Sequence, residues 1–162
     1  MVTAYAVAAT VTDPELPMLT LADLGVLREV SEEDGRVVVA ITPTYTGCPA
    51  MDTMRDDLVH ALAGAGYGEV EVRTVLQPAW STDWITEDGK RKLAEAGIAP
   101  PGAAPRRTGP IPLTLSPAVS SVRCPNCGSA DTEEQSRFSA TACKALRRCR
   151  FCLEPFEHVK EI

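Results

Sequence analysis

Two Cys-x-x-Cys pairs, Cys124-Pro-Asn-Cys127 and Cys149-Arg-Phe-Cys152, near the end of a 162-residue chain constrain its fold more than any other feature. Two residues between cysteines let a tight turn aim both sulfurs at one point, and two such turns complete a tetrahedron around a metal ion. The last 42 residues, 121–162, are too few to hold a fold by apolar burial alone. An ion held by Cys124, Cys127, Cys149 and Cys152 is expected to supply the missing folding free energy. With all four positions taken by thiolates the site is closed, which predicts a structural Zn²⁺. A rubredoxin-like iron fits the same geometry, and two disulfides are the alternative that a reducing compartment disfavours. Gly128 follows the first pair where the chain must turn closely; Leu153 holds the corresponding place after the second.

Six of the thirteen prolines (Pro100, Pro101, Pro105, Pro110, Pro112, Pro117) fall between residues 98 and 120, a segment expected to be extended and semi-rigid. It predicts three parts: an N-terminal domain over 1–97, a proline-rich linker over 98–120 and a four-cysteine, zinc-ribbon-like module over 121–162. The net charge of −6 is uneven, with 16 acids and 7 bases in residues 1–98. That balance argues against non-specific attraction to nucleic acid or to an anionic membrane surface. No apolar run approaches the roughly 18 residues of a membrane span, and the N-terminus lacks the basic start of a secretory signal, so a cytoplasmic protein is expected.

Within the first domain, Thr3 to Val11 reads as a helix stopped by Asp13-Pro14, and Thr20 to Asp23 as a capping box opening a short helix that Gly25 ends. Val26–Ser31 and Arg36–Thr42 read as strands, joined by a hairpin at Asp34-Gly35. Met51, Met54, Leu58, Ala61, Leu62 and Ala65 repeat at helical spacing over 50–65. A third strand is expected over 69–76 and a polar helix over 86–96. The order ββαβα predicts a small two-layer α/β (α+β) domain. An exposed sheet edge in such a domain makes a homodimer conceivable.

Two cysteines fall outside the pairs. Cys48, in Thr44-Tyr-Thr-Gly-Cys-Pro-Ala50, precedes the helix over 50–65, where free backbone amides favour a thiolate; no Lys, Arg or His lies in the loop, and Asp52 opposes ionisation. Its surroundings alone favour a packed, inert cysteine. Cys143 is either packed in the module or presented toward Cys48 or a partner, with Lys144 beside it to lower its pKa should the two approach. His60 is expected in solvent, and His158 shows no partner. Lys144, Arg147, Arg148 and Arg150 read as a solvated basic face in preference to a nucleic-acid surface. No catalytic triad, phosphate loop or dinucleotide fingerprint occurs.

Asp13-Pro-Glu-Leu-Pro17, Asp23-Leu-Gly25 and Thr42-Pro-Thr-Tyr-Thr-Gly-Cys-Pro49 resemble the MIP18 (DUF59) family, a small α/β fold associated with iron–sulfur protein maturation. Pro78-Ala-Trp-Ser-Thr-Asp-Trp-Ile85, Gly97-Ile-Ala-Pro-Pro101, the first knuckle and Ser136-Arg-Phe-Ser-Ala-Thr-Ala-Cys-Lys144 narrow this further. Together they resemble the PaaD family, subunits of the multicomponent phenylacetyl-CoA 1,2-epoxidase of aerobic phenylacetate degradation. The resemblance implies an accessory role, without catalysis of its own, in assembling iron or iron–sulfur centres. It further implies the oxygenase and reductase subunits as partners and a transient iron or iron–sulfur cluster as cargo. It places Cys48 at the family's motif cysteine and Asp13 and Glu15 at the acidic pair before it, which makes Cys48 a functional thiol and Cys143 a second candidate. Thr46 and Ala142 stand where many members have proline. A stoichiometric adaptor of the oxygenase and a thiol-dependent redox enzyme are the rival readings.

Overall fold

The computed structural model describes residues 2–105 and 121–162, in two compact units that divide after Lys92. Pro110, Pro112, Pro117 and the rest of residues 106–120 lie outside the described residues.

In the first unit, the helix α1 (Ala4–Ala8) is shorter than expected and is capped by Thr3, whose hydroxyl accepts from the Ala6 amide. Strands β1 (Leu27–Glu33) and β2 (Arg36–Ile41) form the expected antiparallel hairpin, with Asp34 and Gly35 both at positive φ, 50° and 81°. Helix α2 (Met51–Gly64) returns the chain so that β3 (Val70–Thr74) pairs parallel to β2, giving the sheet order β1-β2-β3. The helical spacing read from the sequence is the buried face: Met54, Leu58 and Leu62 are inside, as are Val37, Val39 and Ile41 of the central strand.

The segment 20–25 corrects an expectation. The capping box forms, with Thr20 N donating to Asp23 Oδ2 and Asp23 N to Thr20 Oγ1, each at 3.0 Å, yet it opens a turn and not a helix. Gly25 ends it at φ +69°. The turn is clasped by the segment 80–92. Trp80 Nε1 donates to the Leu24 carbonyl at 2.8 Å, the Thr86 amide to the Asp23 carbonyl at 2.9 Å, and Lys92 Nζ to Asp23 Oδ2 at 2.9 Å. The Arg28 guanidinium lies 3.7 Å from the centre of the Trp84 ring, at the end of a 3₁₀ turn over Thr82–Trp84. Although burial pushes the Asp23 carboxyl up, its bonds to Lys92 and Thr20 hold it below the usual range. Helix α3 (Glu87–Glu95) comes next.

The second unit is a four-stranded sheet in the order β4-β7-β6-β5, built from β4 (Ile98–Ala99), β5 (Thr132–Ser136), β6 (Lys144–Cys149) and β7 (Pro155–Val159). Ile98 and Ala99, expected to open the linker, instead pair parallel with Glu157 and His158, so the boundary drawn at 97/98 does not coincide with the division after Lys92. The Gly102 amide donates to Glu161 Oε1 at 3.0 Å and holds the chain beyond β4 against the C-terminal end.

The expected basic face is also corrected. Lys144 and Arg147 are each only 5% exposed. Lys144 Nζ bonds Glu157 Oε2 at 2.7 Å, and Arg147 reaches Thr132 and, at 3.7 Å, Glu134. Arg150 is exposed but bound to Glu133, and Arg148 and Arg123 are exposed as well. The antiparallel registers set these partners by placing Glu134 opposite Arg147 and Glu157 opposite Leu146, beside Lys144.

Candidate functional site

The two knuckles share part of their hydrogen bonding. Cys124 N donates to the Ser129 carbonyl at 2.9 Å and Cys149 N to the Glu154 carbonyl at 3.0 Å. Arg123 donates to the carbonyl of Gly128 at 3.1 Å, and Arg148 to that of Leu153 at 3.2 Å. Gly128 and Leu153 both adopt positive φ, 76° and 66°.

These matched turns bring the sulfurs of Cys124, Cys127, Cys149 and Cys152 within 4.8 Å of one another. Cys124 and Cys152 Sγ are 3.7 Å apart, and Cys127 and Cys149 Sγ 3.5 Å. A tetrahedral ion with metal–sulfur bonds of about 2.3 Å requires sulfurs about 3.8 Å apart, whereas a disulfide needs about 2.05 Å. The four thiols therefore fit one ion, and all are free. Cys124 and Cys149 are buried with Ala99, Val122 and Phe156, so the ligand sulfurs are themselves part of the module's core.

The thiols are electrostatically unequal. The backbone amide of Cys152 is the main influence holding Cys149 down to about 6; burial opposes it, and the Phe151 amide helps. Cys152 is pushed up to about 12: the Glu154 amide lowers it, but burial and the sulfurs of Cys127, Cys149 and Cys124 outweigh that bond. Four sulfurs this close cannot all ionise without a cation, and binding one must release protons.

Cys48 belongs to the first unit. It lies just before α2, whose N-cap is Ala50, and its amide donates to the Tyr45 carbonyl at 3.3 Å. The side chain is buried, 8% exposed. Burial pushes its thiol up, the Ala50 amide pulls it back, and the carboxylates of Glu15 and Asp13 push it up further. The net shift is upward, so Cys48 is a neutral thiol at neutral pH. Asp13 and Glu15 thus act on Cys48 through space. Asp13 is buried, and its Oδ1 accepts from the amides of Glu15 and Leu16 at 2.8 Å each, which fixes the turn carrying both acids. At the start of the same loop, the Thr42 hydroxyl is buried with no hydrogen-bond partner among the described residues. Neither the Asp13 turn nor the orphaned Thr42 hydroxyl announces itself in the sequence beyond the motif letters.

Cys143 belongs to the second unit, where it is buried with Sγ 3.1 Å from Thr141 Oγ1. Its neighbour Lys144 is engaged with Glu157. His60 is exposed on α2. His158, which shows no partner in the sequence, is 2% exposed; Nε2 lies 3.4 Å from Glu161 Oε1 without hydrogen-bond geometry. Burial lowers its pKa over the opposing pull of Glu161, and Arg147 adds to the lowering.

Two family models match the chain: "Iron-sulfur cluster assembly protein" over residues 4–74 and "PaaD zinc beta ribbon domain" over residues 109–160. An Escherichia coli (strain K12) protein that carries the name of a 1,2-phenylacetyl-CoA epoxidase subunit is 41% identical over 156 residues, 96% of this chain and 90% of that protein. A Porphyromonas gingivalis protein named Fe-S protein maturation auxiliary factor is 33% identical over 86 residues, 52% of this chain and 81% of its own length. Among solved structures, the DUF59 domain from Bacillus anthracis has a TM-score of 0.52 at 29% identity, covering 56% of this chain and 87% of that one. Among the described residues no helix is long and apolar enough to cross a membrane.

Proposed function

We propose, for a chain that belongs to the PaaD family of 1,2-phenylacetyl-CoA epoxidase subunits, an accessory role in assembling the iron or iron–sulfur centres of that oxygenase system. The observation that carries this reading is the union, in one chain, of an iron–sulfur assembly domain with a four-thiol metal module, matched over 90% of the length of an epoxidase-subunit relative. The ion in the module is Zn²⁺ with a structural task, since four protein thiolates leave no open position for chemistry.

Iron, alone or in a cluster, is the cargo, and the site that handles it is Cys48 with Asp13 and Glu15. Burial is the main influence that keeps the Cys48 thiol protonated, and the two carboxylates that add to it attract a cation by the same field. Arrival of the cation displaces the thiol proton and creates the sulfur ligand when it is needed. The charges acting on Cys48 are both acidic, which suits metal handling and opposes a standing thiolate nucleophile, so the chain itself turns over no substrate. Its partners are the oxygenase and reductase subunits.

The test is to purify those subunits from cells with and without this chain and to measure iron content and turnover. Without it they should be folded but short of iron or cluster, and inactive. Full metallation and activity in its absence would replace maturation by a stoichiometric adaptor role.

A further inference from the structure

The sheet of the first unit has two edges, β1 and β3, and an open edge is a template for another strand unless something blunts it. β1 is blunted. It breaks register between Leu27 and Glu29 and carries Glu29, Glu32 and Glu33, so a copy of itself would meet a bulge and like charge. β3 has neither proline nor register shift over Val70–Thr74. Its Val70 and Val72 are only half-buried, although they share a face with the buried Val37 and Val39 of β2.

The hydrogen-bond phase of β3 sets which groups it offers. Val37 N donates to the Glu69 carbonyl and Val75 N to the Ile41 carbonyl, each at 2.8 Å. In a parallel pair, alternate residues turn both amide and carbonyl to one neighbour. Glu69, Glu71, Arg73 and Val75 therefore face β2, and Val70, Val72 and Thr74 present their groups on the other side, where no strand lies among the described residues. A second copy laid antiparallel on this edge, about a two-fold axis at Val72, makes these the bonded residues. Val72 then exchanges both bonds with the partner's Val72, and Val70 with the partner's Thr74. Between them Glu71 falls opposite the partner's Arg73, and Arg73 opposite the partner's Glu71, in the closely spaced non-bonded pairs. Glu71 and Arg73 already pair within one chain at 2.7 Å, with side chains 37% and 48% exposed, so the charges alternate in sign around the axis. Moving the axis by one residue, to Glu71 or to Arg73, would set like charges opposite each other. We infer that β3 is a self-complementary edge through which two copies of this chain join their three-stranded sheets into one.

The experiment is sedimentation velocity of the full-length, metal-loaded chain, for wild type, Arg73→Glu, Glu71→Arg and an equimolar mixture of the two variants. Wild type should sediment as a dimer at about 0.1 mM. Each variant alone sets like charges opposite at two symmetric places and should dissociate about tenfold or more readily. Mixed, the variants oppose an acidic edge to a basic one and should recover wild-type association. Hydrogen exchange of the wild type is an independent readout, in which the Val70, Val72 and Thr74 amides gain protection as concentration rises; should either variant lose the wild-type tryptophan fluorescence, this readout decides. A wild-type chain that stays monomeric at that concentration overturns the proposal. So does a dimer that both variants preserve, a mixture of folded variants that stays dissociated, or a dimer that leaves those amides unprotected.

Discussion

Replacing Gly25 by alanine tests the clasp between the turn at 20–25 and the tryptophan segment. A Cβ at this position would sit 2.6 Å from Trp84 Cβ and 2.8 Å from the Trp84 carbonyl oxygen, both atoms that move only if the backbone moves. Two costs add. Holding alanine at φ +69° costs roughly 1–2 kcal/mol, and overpacking a tight contact costs roughly 1–3 kcal/mol. The expected loss is roughly 2–5 kcal/mol, a large part of a domain's total stability. Gly35→Ala is the control, since at φ +81° it has nothing within 4 Å and should lose only the backbone part. Urea denaturation followed by tryptophan fluorescence reads the first unit selectively, because the two tryptophans of the chain, Trp80 and Trp84, both lie in it. The Gly25→Ala midpoint should fall by more than about 1 M. If Gly25→Ala and Gly35→Ala agree within about 0.5 kcal/mol, below either cost, Trp84 yields freely and the clasp does not fix the turn.

Cys48→Ala should abolish maturation at a stability cost of about 1 kcal/mol, the scale of one lost buried atom. Growth on phenylacetate and urea denaturation separate the two effects, and unimpaired growth would return Cys48 to a packing role. Because its pKa is raised, alkylation of Cys48 at pH 7.5 should be slower than that of a free cysteine and keep accelerating beyond pH 9. Glu15→Gln should speed the reaction by removing a charge that opposes the thiolate; peptide mapping by mass spectrometry reads both, and an unchanged rate refutes the assigned field. Chelation, or Cys149→Ser, should release the ion and unfold β5 to β7, since structural zinc contributes about 10–16 kcal/mol in small modules. Hydrogen exchange of the β6 and β7 amides checks this, and protection that survives metal loss would refute it.

The features legible in the sequence are those set by residues close together in the chain. The paired knuckles, the Asp34-Gly35 turn and the Met54-Leu58-Leu62 face each encode their geometry within a few positions. Thr20 and Asp23 encode the reciprocal cap, but a helix must also be continued, and here Gly25 and the clasp from Trp80 and Thr86 end the turn at once. That clasp joins residues some 56 positions apart and has no local signature. The partners of Lys144 and Arg147 depend on strand register, so the sequence presents them as surface charges. β4 is two residues long, which leaves no periodicity to find beside Pro100 and Pro101. At the site, the motif cysteine and acids are visible as letters, whereas the electrostatic pressure on Cys48 exists only once the chain from Asp13 to Glu15 is folded near it.

The pairing of β4 with β7 changes what a cut in the chain would do. The chain leaves a sheet at Ala99 and re-enters the same sheet at Thr132, so a cut between residues 106 and 120 would not by itself free β4 from β7. The piece carrying Ile98 and Ala99 would remain held by the strand bonds to β7 and by the Gly102–Glu161 contact. A fragment starting at residue 121 would lack the strand at the sheet's edge.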